Sequence, residues 1–287
     1  SNTCAYPASP VEERRLVSAS TTTIMIPASN PESTNDNRRP TVMLVDGFGL
    51  IFRAYHALPP LTRKSDGLPI GAVAGFCNML WKYVQDARGA DAPTHVAVIF
   101  DHSSKTFRNE MYGDYKAHRP PPPEDLVPQF PLIREATAAF SIPSVELEGY
   151  EADDVIGTYA MRYRGVMPVD VVTGDRDLFQ LVDDASATRV VYTARGGVRD
   201  PDLVTQAFLR EKYAVASGDA YADMAALRGD TSDGLPGVKG IGDKTAAALI
   251  ADFGSLAGVR EALAAGDPRI KGARRANLEA ASDYLDV

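Results

Sequence analysis

Cysteine is nearly missing from the 287 residues: there are two, Cys4 and Cys77. Two thiols so far apart build no disulfide framework and have no metal-ligand spacing, so a stapled scaffold and a zinc site drop out. Cys77 lies in an apolar stretch and reads as a buried thiol. No run approaches the roughly eighteen apolar residues of a membrane span, and no basic, apolar and small-residue succession marks a secretory signal. The expectation is a cytoplasmic protein with no membrane association. Positive charge is also short, with 30 Lys and Arg against 38 Asp and Glu and a formal net charge of −8. Taken alone, that balance argues against a polyanionic partner. No internal repeat is visible. No Walker phosphate loop is present, because the stretch at 237–244 has its Gly and Lys in the wrong order. What remains, 45% hydrophobic and 24% charged, is an ordinary globular composition of one or two domains.

Residues 1–40 are rich in Ser, Thr, Asn and Pro and lack periodicity, so a disordered leader is expected there. An initiator at Met25 is a hypothesis that mass spectrometry of the native protein tests. From residue 41 the pattern changes. Short apolar runs at 41–45, 95–100, 144–147, 169–172 and 189–192 read as strands, and 71–87, 123–140, 152–163 and 201–213 read as helices. Alternation of this kind implies an α/β fold with a mostly parallel sheet and helices on both faces. Asp46, Asp101 and the pair Asp175 and Asp177 then fall at strand ends, on the carboxyl edge where open parallel sheets bind ligands.

Two segments interrupt the alternation. Residues 102–122 carry Lys105, Arg108, Lys116 and Arg119 among Phe107, Tyr112 and Tyr115, and read as a long mobile excursion. Residues 219–256 read as a helix ending near Arg228, a Gly/Pro-rich turn and a helix from about Asp243. The tail is helical and basic around Arg269, Lys271, Arg274 and Arg275.

Four dense acidic clusters stand out. They are Asp46, then Glu151 with Asp153 and Asp154, then Asp175 with Asp177, then Asp230 with Asp233. Each alone suits a turn or helix cap. Together with Asp101 they supply nine carboxylates, and two bare carboxylates about 6 Å apart repel by roughly 3 kcal/mol at an effective dielectric near 20. Gathering them at one edge therefore calls for cations. An all-oxygen set suits Mg²⁺ or Mn²⁺, and two such ions are the standard arrangement for phosphodiester hydrolysis. Activated water would then be the nucleophile, with no catalytic Ser or His required.

The segment PGVKGIGDKT at 236–245 leads into a helix. Its glycines, with Lys239 and Lys244, look like a helix-hairpin-helix turn that grips a phosphate backbone without reading sequence. The alternative is a merely structural turn between helices.

The segments LVDGFGLIFRAYHAL, FRNEMYGDYKAHRPPPPEDL, GYEADDVIGT, VTGDRDLFQLV and AALRGDTSDGLPGVKGIGDKTA occur in order. Over residues 41 to about 285 the chain resembles the 5′-nuclease domain of bacterial DNA polymerase I, within the flap endonuclease family. The resemblance implies a PIN-like nuclease domain at 41–213, a helical arch at about 102–122, and a helix-three-turn-helix subdomain at 214–287 that binds duplex DNA and often K⁺. It implies that Asp46, Asp101, Glu151 and Asp153, with Asp154 beside them, hold one of two or more Mg²⁺ or Mn²⁺ ions. Asp175, Asp177, Asp230 and Asp233 would hold or order the second. Lys116 matches the catalytic arch lysine, and Arg108 and Arg119 would guide the single strand. Phe52 and Tyr55 would stack on bases, although Phe52 equally suits a core. Arg53 and His56 would contact phosphate, with a structural role open for His56. Lys239, Gly240, Gly242, Lys244 and Thr245 would grip the duplex. Gly234 stands where the family's polymerase-linked members usually carry Asn, which leads to the expectation of a looser turn.

The implied activity is flap endonuclease and 5′-3′ exonuclease on DNA flaps, single-strand/duplex junctions and RNA-primer/DNA hybrids. The implied setting is a nucleoid-associated monomer with a polymerase as possible partner, the chain being either an excised domain or a stand-alone nuclease. A duplex-binding module without chemistry and an RNA-cleaving PIN ribonuclease are the alternatives. With nine carboxylates assigned to metal, the other 29 acidic residues against 30 basic ones leave +1, which removes the electrostatic objection to DNA.

Overall fold

The computed structural model describes residues 40–86 and 93–286. Met25, Cys4 and the expected leader, apart from Pro40, lie outside them. Six strands form one sheet in the order β3-β2-β1-β4-β5-β6. These are β1 (Val42–Asp46), β2 (His95–Ile99), β3 (Ser144–Val145), β4 (Val169–Thr173), β5 (Thr188–Tyr192) and β6 (Asp202–Val204). All neighbours pair parallel except β5 with β6.

The strands are legible because both faces of the sheet are covered, which demands continuous apolar runs. Val42 and Leu44 of β1 point into one core, while Met43 and Val45 point into the other. The second core is closed by α1 (Gly47–Ala57), α2 (Gly71–Asp86) and α4 (Gln129–Ala139), which supply Leu50, Phe76 and Ile133. The first is closed by α5 (Ala152–Tyr163), α6 (Gln206–Tyr213) and the helices that follow. Those are α7 (Gly218–Arg228), α8 (Asp243–Phe253), α9 (Leu256–Ala264), α10 (Gly272–Ala280) and α11 (Ser282–Leu285). Tyr221, Leu249, Val259 and Leu278 share one apolar cluster with Leu44 and Val171, so the C-terminal helices are packed onto the sheet's own core.

Residues 47–57, for which the sequence suggests no element, form α1, whose start the glycines at 47 and 49 conceal. Three expectations need correction. Residues 201–213 are not one helix: β6 occupies Asp202–Val204 before Thr205 caps α6. The helix expected over 123–140 begins only at Gln129, and the strand expected over 144–147 has two residues. The excursion at 102–122 contains a five-residue helix, α3 (Phe107–Met111).

From β1 the chain builds β2 and β3 on one side, then crosses to β4, β5 and β6 on the other. The strand order therefore reverses between β1 and β4. At such a switch point the loops at the carboxyl ends diverge and leave a crevice. Asp46 ends β1, and Thr173 ends β4. No helix among the described residues is long and apolar enough to cross a membrane.

Candidate active site

Four of the carboxylates at the switch point each accept a backbone amide. Asp46 caps α1, its Oδ1 accepting Gly49 N–H at 2.9 Å. Asp175 caps the 3₁₀ turn Arg176–Leu181 through Asp177 N–H at 2.9 Å, and Asp230 caps Thr231–Asp233 through Ser232 N–H at 2.9 Å. Asp101 accepts the first amide of α5, Ala152 N–H, at 2.6 Å. Helix starts favour these charges and hold their oxygens in place.

Burial sets the electrostatics. Asp46 is 7% exposed, and desolvation pushes its carboxyl up to about 6, with Asp101 and Asp175 adding repulsion. Desolvation also raises Asp153 well above the usual carboxylate range, reinforced by Asp46 and Asp175. Asp177 is pushed up to about 6 by burial and then by Asp175, Asp230 and Asp233. Asp101 is raised by burial, with Glu151 contributing. The repulsions thus fall into two sets that share Asp175, which acts on Asp46 and Asp153 together with Asp101, and on Asp177 together with Asp230 and Asp233.

The basic excursion lies against this site. Arg108 grips Asp154 through two hydrogen bonds of 2.6 and 2.7 Å, so Asp154 faces the arch. Lys116 Nζ is 2.8 Å from Glu151 Oε2 and 4.0 Å from Asp233 Oδ2. Tyr115 O–H donates to the same Glu151 oxygen at 3.0 Å. Arg119 pairs with Asp233, and Arg176 Nη2 lies 3.9 Å from Asp230. Lys116 N–H also donates to the Asp233 carbonyl at 2.8 Å, and Lys116 takes the left-handed φ of 54°.

The loop that receives the arch is closed, contrary to the looser turn expected from Gly234. Asp230 and Leu235 exchange two backbone hydrogen bonds of 2.9 and 2.8 Å. At Gly234 a Cβ would stand 2.4 Å from the Asp114 carbonyl oxygen, so the glycine admits the arch backbone.

Does this donor set fit divalent metal? Among the described residues, no three His, Cys, Asp or Glu side chains stand as a ready cage. The side-chain cations account for part of that, since they hold Glu151, Asp154, Asp230 and Asp233. What remains is a mutually repelling, all-oxygen cluster of Asp46, Asp101, Asp153 and Asp175, none of them in an ion pair among the described residues, on which Lys116 acts at longer range through Asp101 and Asp153. That chemistry fits hard divalent ions.

Other candidates are placed differently. Arg53 donates to the Thr193 carbonyl. Phe52 packs on Phe48 and stacks on His56, with centroids 6.2 and 6.4 Å apart, and Tyr55 O–H donates to Asp125 at 2.8 Å. In the glycine turn, Val238 and Ile241 are buried while Lys239, Gly240, Gly242 and Lys244 face outward and Thr245 is half-buried. A Cβ at Gly242 would meet nothing within 4 Å, and one at Gly240 only Asn277 Nδ2 at 3.5 Å. Internal packing does not require the glycine at 242. Arg275 is turned inward, donating to the carbonyls of Ile270, Leu263 and Asp267.

Sequence reasoning passed over Arg134, whose guanidinium donates to the Asp101 carbonyl at 3.2 Å and lies 5.0 Å from the Phe100 ring. It also passed over Thr173, between Asp46 and Asp175. A single Arg in a helix or Thr at a strand end carries no sequence signal.

A family profile described as "5'-3' exonuclease, N-terminal resolvase-like domain" matches residues 41–214, and one described as "5'-3' exonuclease, C-terminal SAM fold" matches 216–287. The chain belongs to the 5′-3′ exonuclease family. It is therefore a member of a family of nucleases, with the family's resolvase-like α/β fold. A 5′-3′ exonuclease of Streptomyces coelicolor is 46% identical over 257 residues, covering 85% of this chain and 83% of that protein. DNA polymerase I of Rhizobium leguminosarum is 52% identical over 221 residues, 75% of this chain. That match spans only 21% of the polymerase's own length. In fold, the chain is similar to the bacteriophage T5 flap endonuclease solved as a pseudo-enzyme-product complex with DNA and metal ions. The TM-score is 0.67 at 20% identity, covering 86% of each chain.

Proposed function

We propose that this 5′-3′ exonuclease family member cuts phosphodiesters near single-strand/duplex DNA junctions, leaving 5′-phosphate and 3′-hydroxyl ends. The observation that carries the reading is the pair of repelling carboxylate groups that meet at Asp175. Asp46, Asp101, Glu151 and Asp153 would hold one Mg²⁺ or Mn²⁺, and Asp175 with Asp177, Asp230 and Asp233 the other. Bound there, the ions supply Lewis acidity and activate the attacking water.

The chain's own residues do the rest. Lys116, paired with Glu151 in this structure, would offset charge developing on the scissile phosphate. Arg108 and Arg119, freed from Asp154 and Asp233, line the path of the single strand. Lys239, Lys244 and the outward glycines hold the duplex by its backbone. Substrates are 5′ flaps and RNA-primer/DNA hybrids, handled by a monomer, and association with nucleoid DNA and with a polymerase follows from that substrate. A potassium ion at the glycine turn would use backbone carbonyls there, of which that of Lys239 is already taken by Asn277 at 2.8 Å.

The test is cleavage of an end-labelled 5′-flap duplex titrated with Mg²⁺ and Mn²⁺, with product ends mapped. Cutting near the junction is expected. Duplex binding without any cut would leave the non-catalytic reading, and preferential cutting of structured RNA would favour a ribonuclease.

A further inference from the structure

Thr173 ends β4 and is 1% exposed. Its hydroxyl makes two contacts, each with one half of the carboxylate site. The hydroxyl proton goes to Asp46 Oδ2 at 2.8 Å, and a lone pair receives Asp175 N–H at 2.9 Å. The Thr173 carbonyl is held in turn by Thr193, whose amide donates at 2.9 Å and whose hydroxyl donates at 3.1 Å. With Gly49 N–H on Asp46 Oδ1, each Asp46 oxygen is directed by one hydrogen bond, and the remaining lone pairs are left for the crevice. Asp175 is the carboxylate that the two repelling groups share. One buried oxygen atom therefore sets the relative position of Asp46 and Asp175 across the strand-order reversal.

We propose that Thr173 is a positioning residue that couples the two halves of the metal site. The direction of its hydrogen bonds supports this. A hydroxyl that gives its only proton to a carboxylate orients that group in its ionised form, the form that binds cations. Because Thr is stiff at Cβ, the oxygen stays in line while ions enter and leave. The inference rests on the metal-dependent reading above.

The experiment measures Mn²⁺ binding to the full chain without DNA, by electron paramagnetic resonance of the free ion. It compares the parent, Thr173→Val, Thr173→Ser and Thr137→Val. Valine keeps the volume and removes both contacts, serine keeps the hydroxyl, and Thr137→Val removes a buried hydroxyl of α4 that donates to the Ile133 carbonyl at 2.9 Å and touches no carboxylate. Thr173→Val should bind Mn²⁺ at least about tenfold more weakly, with Thr173→Ser and Thr137→Val within about threefold of the parent. The Mg²⁺ concentration for half-maximal single-turnover flap cutting should rise in parallel for Thr173→Val alone. Should Thr173→Val not fold, Thr173→Ala against Thr173→Ser gives the same comparison. Parent-like Mn²⁺ binding by Thr173→Val, failure of Thr173→Ser to restore it, or an equal loss in Thr137→Val overturns the proposal while leaving the metal site standing. A parent chain that binds no Mn²⁺ overturns the metal reading itself.

Discussion

Replacing Gly234 by alanine tests whether the arch rests on the metal-side loop as the structure shows. The added Cβ would lie 2.4 Å from the Asp114 carbonyl oxygen and 3.7 Å from Lys116 N. A close C···O approach is about 3.3 Å, so the arch backbone must retreat by roughly 1 Å. The neighbouring Lys116 N–H···O=C bond to Asp233, 2.8 Å long, would then stretch beyond bonding distance, costing about 1 kcal/mol of docking. Separately, alanine at φ 78° costs the fold about 1–2 kcal/mol. The ion pairs of Lys116 and Arg119 are partly exposed and together add little to the docking. One kcal/mol raises the undocked population about fivefold. Trypsin cleavage after Lys116 reads that population when opening is fast, so a rise of about fivefold is expected in metal-free buffer. Gly113→Ala is the control, because a Cβ there meets nothing within 4 Å. Gly234→Asn separates the two costs, since asparagine tolerates the left-handed conformation and should undock the arch with a smaller loss of global stability. Equal cleavage rates in Gly234→Ala and the parent, or an equal effect of Gly113→Ala, would refute the docked arrangement.

Asp46→Asn keeps the cap on Gly49 and removes one buried charge. The carboxyl is raised from 3.8 to about 6, so ionisation costs the metal-free fold roughly 3 kcal/mol at most. That cost accrues as pH rises through this window. Urea melts in EDTA should therefore show the variant about 1–3 kcal/mol more stable at pH 8, with the gain gone below about pH 4; the same gain at both pH values would contradict the charge origin. Asp175→Asn should abolish flap cutting and leave flap binding measurable, and full turnover would remove Asp175 from the metal site. Gly242→Val should weaken duplex binding several-fold in a fluorescence titration, since the added side chain blocks phosphate approach while meeting no packed atoms, whereas valine at Gly240, whose φ is 75°, would strain the turn itself; unchanged affinity in Gly242→Val would make the turn structural.

The strands β1, β2, β4 and β5 could be read from sequence because the sheet is covered on both faces there. Asp46, Asp101 and Asp175 could be read because they follow those runs directly. The helix α1 was hidden by a start of Gly47-Phe48-Gly49, which disfavours helix by propensity and is held by a cap and by packing instead. The strand β6 is three residues long, follows a proline and pairs antiparallel, so no periodicity announces it. The arch pairings join Arg108 to Asp154 and Arg119 to Asp233, residues 46 and 114 positions apart. Only the completed fold brings them together. The roles of Thr173 and Arg134 are invisible for the same reason: the signal is a distance to a neighbour on another element.

The capping carboxylates make catalysis and folding separable at the level of one atom. Exchanging a carboxylate oxygen for an amide nitrogen in Asp46, Asp175 or Asp230 spares an acceptor for the capped N–H but changes what the side chain offers a cation. Alanine removes both. Asparagine at these positions therefore changes what the site offers while sparing the turn that presents it, whereas alanine loosens both.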